Sequence, residues 1–249
     1  MLRNNGGRRV GQAKAQPEGQ ASGRAADQFS GMRLRVKICC IGSVEEAALA
    51  VGFGADALGL VSEMPSGPGV ISDERAREIA ASVPPAVASF LLTSRQSASG
   101  IIEQQRYVRS NTLQIVDRLT RGTYRDLRDA LPGVGLVQVI HVQDEGSLEE
   151  ALRVAPETDA ILLDSGDQRL AVKLLGGTGR THDWAISRRI VERVKKPVFL
   201  AGGLKAENVR EAIEQVAPFG LDICSGVRTE GKLDERKLAN FFEQIDGFR

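Results

Sequence analysis

The chain has 249 residues, 42% of them hydrophobic, enough to build one large domain core. Its 33 basic and 32 acidic residues nearly cancel, which removes the electrostatic footprint expected of a nucleic-acid or anionic-membrane binder. No apolar run approaches the length of a membrane span and the polar N-terminus lacks the apolar core of a secretory signal, so a soluble, cytoplasmic protein is expected.

Residues 1–30 are rich in Gly, Ala, Gln and Arg without apolar periodicity and are expected to form a disordered N-terminal extension. The basic Arg3, Arg8, Arg9, Lys14 and Arg24 against Glu18 and Asp27 resemble a transit peptide in composition only, since no amphipathic face accompanies them. A single domain is expected over 31–249.

From residue 34 onward, short apolar runs alternate with helical stretches. The runs are LRVKI (34–38), DALGLV (56–61), AVASFLL (86–92), TLQIV (112–116), GLVQVIH (135–141), DAILLD (159–164), PVFLA (197–201) and GLDIC (220–224). Between and after them lie SVEEAALAVGF, SDERAREIAASV, SASGIIEQQRYV, RGTYRDLRDAL, GSLEEALRVA, DWAISRRIVERV, AENVREAIEQV and DERKLANFFEQI, mostly periodic at three and four residues, several opening on a Ser or Asp suited to an N-cap. Strict alternation of eight strands with eight helices predicts a (β/α)8 TIM barrel. A doubly wound open sheet is the alternative, but its glycine fingerprint belongs after the first strand, where this chain has Cys39.

A barrel of this kind builds its site at the C-terminal ends of the strands. The first strand ends in KICCIG, with two of the three cysteines adjacent. Neighbouring side chains on a strand point to opposite faces, so the pair is ill-suited to grip one metal ion, and the odd count argues against a disulfide framework. No metal is expected. Alternation puts Lys37 and Cys39 on one face and Cys40 on the other. An ammonium beside a thiol favours the thiolate, which makes Cys39 a candidate base or nucleophile and leaves Cys40 to pack outward. The plain alternative treats both as small buried hydrophobes. Cys224, at the end of the neighbouring eighth strand, opens a redox reading of the three thiols, although free thiols are expected.

Asp164 ends the apolar run AILL at the barrel mouth, where partial desolvation suits a proton donor; capping the next loop is its structural alternative. Glycine-rich GGTG (176–179), AGGL (201–204) and SGV (225–227) follow strands 6, 7 and 8, and glycines let backbone N–H groups converge on an anion. His141 ends strand 5, and His182 precedes Asp183 and Trp184, with Asp183 read as the N-cap of its helix.

In order and spacing, KICCI, GADALGLV, LQIVD, LLDS, GGTGRTHDW, PVFLAGGLKAENVREAI and GLDICSGVRTEGKLDERKL resemble the phosphoribosylanthranilate isomerase family of tryptophan biosynthesis, from about Lys37 to Ile245. The resemblance implies a cofactor-free barrel that performs the Amadori rearrangement of a phosphorylated ribosylamine. It implies Cys39 as general base and Asp164 as general acid. It places Gly202, Gly203, Ser225 and Gly226 at the phosphate, and Gly177, Thr178 and Gly179 in the substrate loop after strand 6. A small phosphorylated sugar is then the partner, and the protein a monomer or homodimer.

Three departures from the family pattern stand out. The family usually follows strand 2 with Ser-Pro-Arg-Tyr, whose Arg pairs with the anthranilate carboxylate; here the region reads SGPGVIS (66–72), with Gly69 near the Arg position. Loss of such a bidentate partner costs a factor of about 100 in affinity unless another cation substitutes, and Arg95 and Arg118 lie after strands 3 and 4, at the correct end to do so. Gln114-Ile115-Val116-Asp117 stands where the family has Gln-Leu-His-Gly, and Cys40 and Gly42 stand where it has Gly and Thr. Against the isomerase reading stands a barrel that binds a phosphosugar without catalysis or isomerises a different ribosylamine phosphate.

Overall fold

The computed structural model describes residues 1, 32–166 and 181–249. The substrate-loop residues Gly177, Thr178 and Gly179, and all of the expected 1–30 extension except Met1, lie outside the described residues.

All eight expected strands form: β1 (Arg35–Ile38), β2 (Ala57–Val61), β3 (Ala88–Thr93), β4 (Thr112–Ile115), β5 (Gly135–His141), β6 (Ala160–Asp164), β7 (Val198–Leu200) and β8 (Gly220–Ile223). They pair in parallel in chain order and β1 closes on β8, which sets aside the open-sheet alternative. The helices are α1 (Val44–Gly52), α2 (Asp73–Ser82), α3 (Ala98–Val108), α4 (Tyr124–Ala130), α5 (Gly146–Val154), α6 (Trp184–Arg193), α7 (Val209–Val216) and α8 (Glu235–Ile245). Their starts follow from the capping residues. Ser43, Ser72 and Ser97 each accept a bond from the amide three residues on, Thr123 and Asp126 make a reciprocal capping box, and Asp183 and Asp234 cap α6 and α8.

Strand periodicity divides the apolar residues into two shells. Val36, Ile38, Leu58, Leu60, Leu91, Leu113, Ile115, Leu221 and Ile223 point outward and pack beneath the helices. Ala57, Phe90, Leu92, Val137, Val139, Ala160, Leu162 and Phe199 fill the barrel. Each fully buried Leu or Ile contributes about 1.5–3 kcal/mol, so the outer shell supplies most of the drive to fold. One short element was not legible from periodicity. Strands β9 (Arg228–Thr229) and β10 (Lys232–Leu233) form a hairpin turned by Glu230 and Gly231, both at positive φ (50° and 78°), as a type I′ turn requires.

Inside the barrel sits a charged pair. Lys37 of β1 and Asp222 of β8 are register partners, and the Lys37 Nζ donates to Asp222 Oδ1 at 2.8 Å with the lysine wholly buried. Burial, the largest single influence, would lower the lysine pKa, but the Asp222 charge and hydrogen bond together with the Cys39 and Cys40 thiols raise it above its ordinary value, so the ammonium is retained. The Phe90 ring lies 5.4 Å from Nζ and meets Phe199 edge-on at 6.0 Å, forming the apolar floor around the pair. Gly59 of β2 is needed for space: a Cβ there would stand 2.7 Å from the Cys39 Sγ and 2.9 Å from Lys37 Nζ.

Replacing Lys37 by Met leaves the Asp222 carboxylate buried without its partner, and should lower unfolding free energy by about 3–5 kcal/mol in urea titration. Adding Asp222→Leu should recover most of the loss; a double variant no more stable than K37M would show that the pair is not what the barrel interior requires.

Candidate active site

At the C-terminal end of the barrel lies a cleft of about 690 Å³, its open mouth included. Cys39, Asp164, Asp222, Gly202, Gly203 and Ser225 line its polar side, and Val61, Met64, Leu92, Val116 and Val139 an apolar wall. Thus β1 and β6 contribute a thiol and a carboxyl to one cavity. Cys39 is only 6% exposed, and its proximity to Lys37 follows from strand alternation, since both side chains enter the barrel from β1 beside Gly59. Asp164 also caps its own loop: Oδ1 accepts from the Ser165 amide at 2.7 Å.

Cys40 departs from the sequence expectation. It does not pack outward; it adopts a left-handed conformation (φ 63°) and lines the cleft beside Cys39. Left-handed backbone at the strand end breaks the alternation that would have turned this side chain away. Its Sγ approaches Pro68 O at 3.6 Å, and a Cβ on Gly69 (φ +76°) would stand 2.4 Å from the Cys40 Cβ. A side chain at 69 would therefore displace Cys40, which ties the first and third departures from the family pattern to one another. The three cysteines are free thiols. Hydrogen bonds with Cys224 and Cys39, reinforced by burial, push the Cys40 thiol well above its ordinary pKa, while the bond from Cys40 lowers that of Cys224.

Across the cleft, Gly202 and Gly203 are consecutive left-handed residues (φ 85° and 63°). At Gly202 a Cβ would come within 3.1 Å of the His182 Nδ1 and of the Ser165 side chain. Asn208 holds this turn, accepting from Lys205 N at 2.9 Å and donating to Gly203 O at 3.0 Å. Ser225 opens a 3-10 turn (Ser225–Val227) after β8 and reaches the cleft. Gly226 borders the adjoining depression with Lys205, Lys237 and Asn240; a Cβ there would stand 2.1 Å from Leu204 O, so glycine at 226 lets the loops after β7 and β8 touch.

The two arginines considered as carboxylate partners are engaged elsewhere. Arg118 donates to both oxygens of Glu150 at 2.9 and 3.0 Å, and Arg95 donates to Gly100 O at 3.0 Å and lies 3.6 Å from Asp73. Among the described residues, no arginine or lysine lines the cleft. His141 bonds Val116 O through Nε2 at 3.0 Å and borders the surface depression that also holds Arg118. His182 pairs through Nε2 with Ser187 Oγ at 2.7 Å; burial lowers its pKa against the pull of Asp164 and Asp183, which keeps a neutral imidazole next to Gly202.

Gln114 is a cleft residue that strand reading passed over. It is 3% exposed, and its Oε1 has no partner among the described residues. The available signal was its position: the polar residue in TLQIV falls on the inward face, between outward Leu113 and Ile115. A buried acceptor left open in a cavity is available to a ligand donor.

The comparisons agree with this geometry. Residues 36–244 match the model of the N-(5'-phosphoribosyl)anthranilate isomerase family. The isomerase of Methanocella arvoryzae is 37% identical over 212 residues, covering 85% of this chain and 97% of that protein. The crystal structure of the Thermotoga maritima isomerase superposes with a TM-score of 0.71 at 32% identity, covering 86% of this chain and 99% of the other. A further isomerase structure, solved in complex with reduced 1-(o-carboxyphenylamino)-1-deoxyribulose 5-phosphate, superposes at 0.68 with 30% identity over 86% of this chain and 99% of that one. No described helix is long and apolar enough to cross a membrane. With its closed eight-stranded barrel, its cleft between strand ends and these relatives, this chain belongs to the phosphoribosylanthranilate isomerase family, enzymes of tryptophan biosynthesis.

Proposed function

We propose that the cleft carries out the Amadori rearrangement of N-(5-phosphoribosyl)anthranilate with Cys39 as general base and Asp164 as general acid. The observation that carries this reading is that these two groups, from β1 and β6, line one cavity whose rim holds Gly202, Gly203 and Ser225. Asp164 delivers a proton to the furanose ring oxygen as the ring opens, and Cys39 takes the proton from sugar C2. The resulting enolamine then becomes the 1-amino-ketose. Such chemistry needs an acid and a base held on either side of the sugar and an anchor that fixes it between them. The left-handed glycine turn held by Asn208, with Ser225 opposite, serves as the anchor, since backbone amides there meet an anion without side-chain obstruction. The phosphosugar bound to the solved relative supports the same class of partner here.

The apolar wall of Val61, Met64, Leu92, Val116 and Val139 suits the aryl group. Gln114 lies on that wall and accepts a bond from the substrate, the amine joining sugar and ring being the donor of matching character. Residues 31–249 form the catalytic domain in this reading, acting in the cytoplasm as a monomer or homodimer. β1 starts at the end of the barrel opposite the cleft, where Leu34 N bonds Phe248 O at 3.2 Å.

Cys39→Ala and Asp164→Asn should each lower kcat by about 100- to 10,000-fold, followed as loss of anthranilate fluorescence from freshly generated substrate. Wild-type turnover no faster than Cys39→Ala removes the assignment and leaves a phosphosugar-binding barrel. Gln114→Met should raise KM about 10-fold while raising Tm, because an unpaired buried acceptor costs about 1–3 kcal/mol in the free protein; a variant with unchanged KM would show that Gln114 meets no substrate. A chain beginning at residue 31 should keep kcat and KM within about twofold of full length, and a larger loss would give the extension a role at the site.

A further inference from the structure

Two peptide carbonyls at the end of β1 leave the barrel ladder. Cys39 N bonds Ile223 O at 2.8 Å and Ile41 N bonds Gly59 O at 3.0 Å, but the carbonyls of Cys39 and Cys40 converge on a side chain instead. That side chain is Arg228, 8% exposed, whose Nη2 donates to Cys39 O at 3.1 Å and Cys40 O at 2.6 Å. Its Nη1 donates to Gly231 O at 2.9 Å, and both nitrogens pair with Glu46 at 3.1 to 3.2 Å. Glu46 in turn accepts from Gly42 N at 2.9 Å and Leu233 N at 2.8 Å. One ion pair thus joins the end of β1, the first turn of α1 and the β9–β10 hairpin.

We propose that Arg228, locked by Glu46, is a positioning residue for the isomerisation: it holds the left-handed turn at Cys40 and so aims the Cys39 thiol at the sugar. The physical need is local. A left-handed conformation is strained for any residue with a Cβ, and Cys40 holds one at φ 63°. Gripping both flanking carbonyls with one planar guanidinium fixes the peptide planes on either side of Cys40, and with them the Cα–Cβ direction of Cys39. Lysine, with a single flexible ammonium, cannot hold both carbonyls and the carboxylate in one plane. Because Ser225 lies three residues before Arg228, the same contact sets the spacing between thiol and phosphate anchor.

This inference rests on the reading of Cys39 as the base, and the experiment separates the two. Arg228→Met and Arg228→Lys are compared with wild type at 25 °C for kcat, KM, Tm and the rate of iodoacetamide alkylation at Cys39 without substrate, read by tandem mass spectrometry. Misplacement of a reacting group by about 1 Å costs on the order of 100-fold, so Arg228→Met should lose about 10- to 100-fold in kcat with KM changed less than about threefold. Its Cys39 alkylation rate should change, and Arg228→Lys should fall between. Cys40→Gly added to Arg228→Met should restore much of kcat, because glycine adopts the left-handed turn unaided. If Arg228→Met does not fold, Glu46→Gln is read in its place, alone and with Cys40→Gly. A folded variant with wild-type kcat and alkylation rate, or a Cys40→Gly background with no recovery, overturns the proposal. If Arg228→Met changes the Cys39 alkylation rate but wild type turns nothing over, the isomerase reading fails while the positioning contact stands.

Discussion

The buried ion pair between Lys37 and Asp222 is the constraint on which the rest of the structure depends. The two residues are 185 positions apart in sequence, yet register partners across the seam where the barrel closes. A charged lysine inside an apolar barrel is tolerable only with its counter-charge in hydrogen-bonding range, so neither strand can slip without stranding a charge in the core. Phe90 and Phe199 wall the pair below, and Gly59 leaves room beside it for the Cys39 sulfur. The same interaction that sets the closing register therefore supplies the cation next to the thiol.

Above this floor, the C-terminal face uses left-handed backbone that glycine adopts freely and that is strained only at Cys40. Cys40, Gly69, Gly202 and Gly203 all lie at positive φ around the cleft. Each is held by a specific partner or by close packing: Arg228 on the carbonyls of residues 39 and 40, Cys40 against Gly69, Asn208 on the Gly203 carbonyl. Strained backbone persists where surrounding contacts over-determine it, and at Cys40 those contacts come from Gly69 after β2 and Arg228 after β8. The arginines after β3 and β4, by contrast, serve pairs outside the cleft, so among the described residues its Val61, Met64, Leu92, Val116 and Val139 wall carries the amide of Gln114 but no cation.

The architecture was legible because its signals are local. Apolar runs of four to seven residues, helical periodicity and Ser, Thr or Asp caps each depend on neighbours a few positions away, and eight such units in alternation close into one barrel. Strand ends alone put Cys39 and Asp164 at the mouth. The β9–β10 hairpin escaped because two-residue strands carry no periodicity, and Gln114 because a polar residue in an apolar run reads as a flaw until the inward face is known.

What the sequence by itself determined is the order of elements, the face each strand residue takes and the chemical types available at the mouth. What only the tertiary structure decided is how those types meet. One left-handed residue turned Cys40 into the cleft against the alternation rule, and Arg228, 188 residues away, closed on its carbonyl. Glu150 and Asp73 drew Arg118 and Arg95 away from the cavity they were positioned to serve. Such outcomes rest on a single backbone dihedral or a choice among charged partners distant along the chain, and neither is written in the pattern of nearby residues.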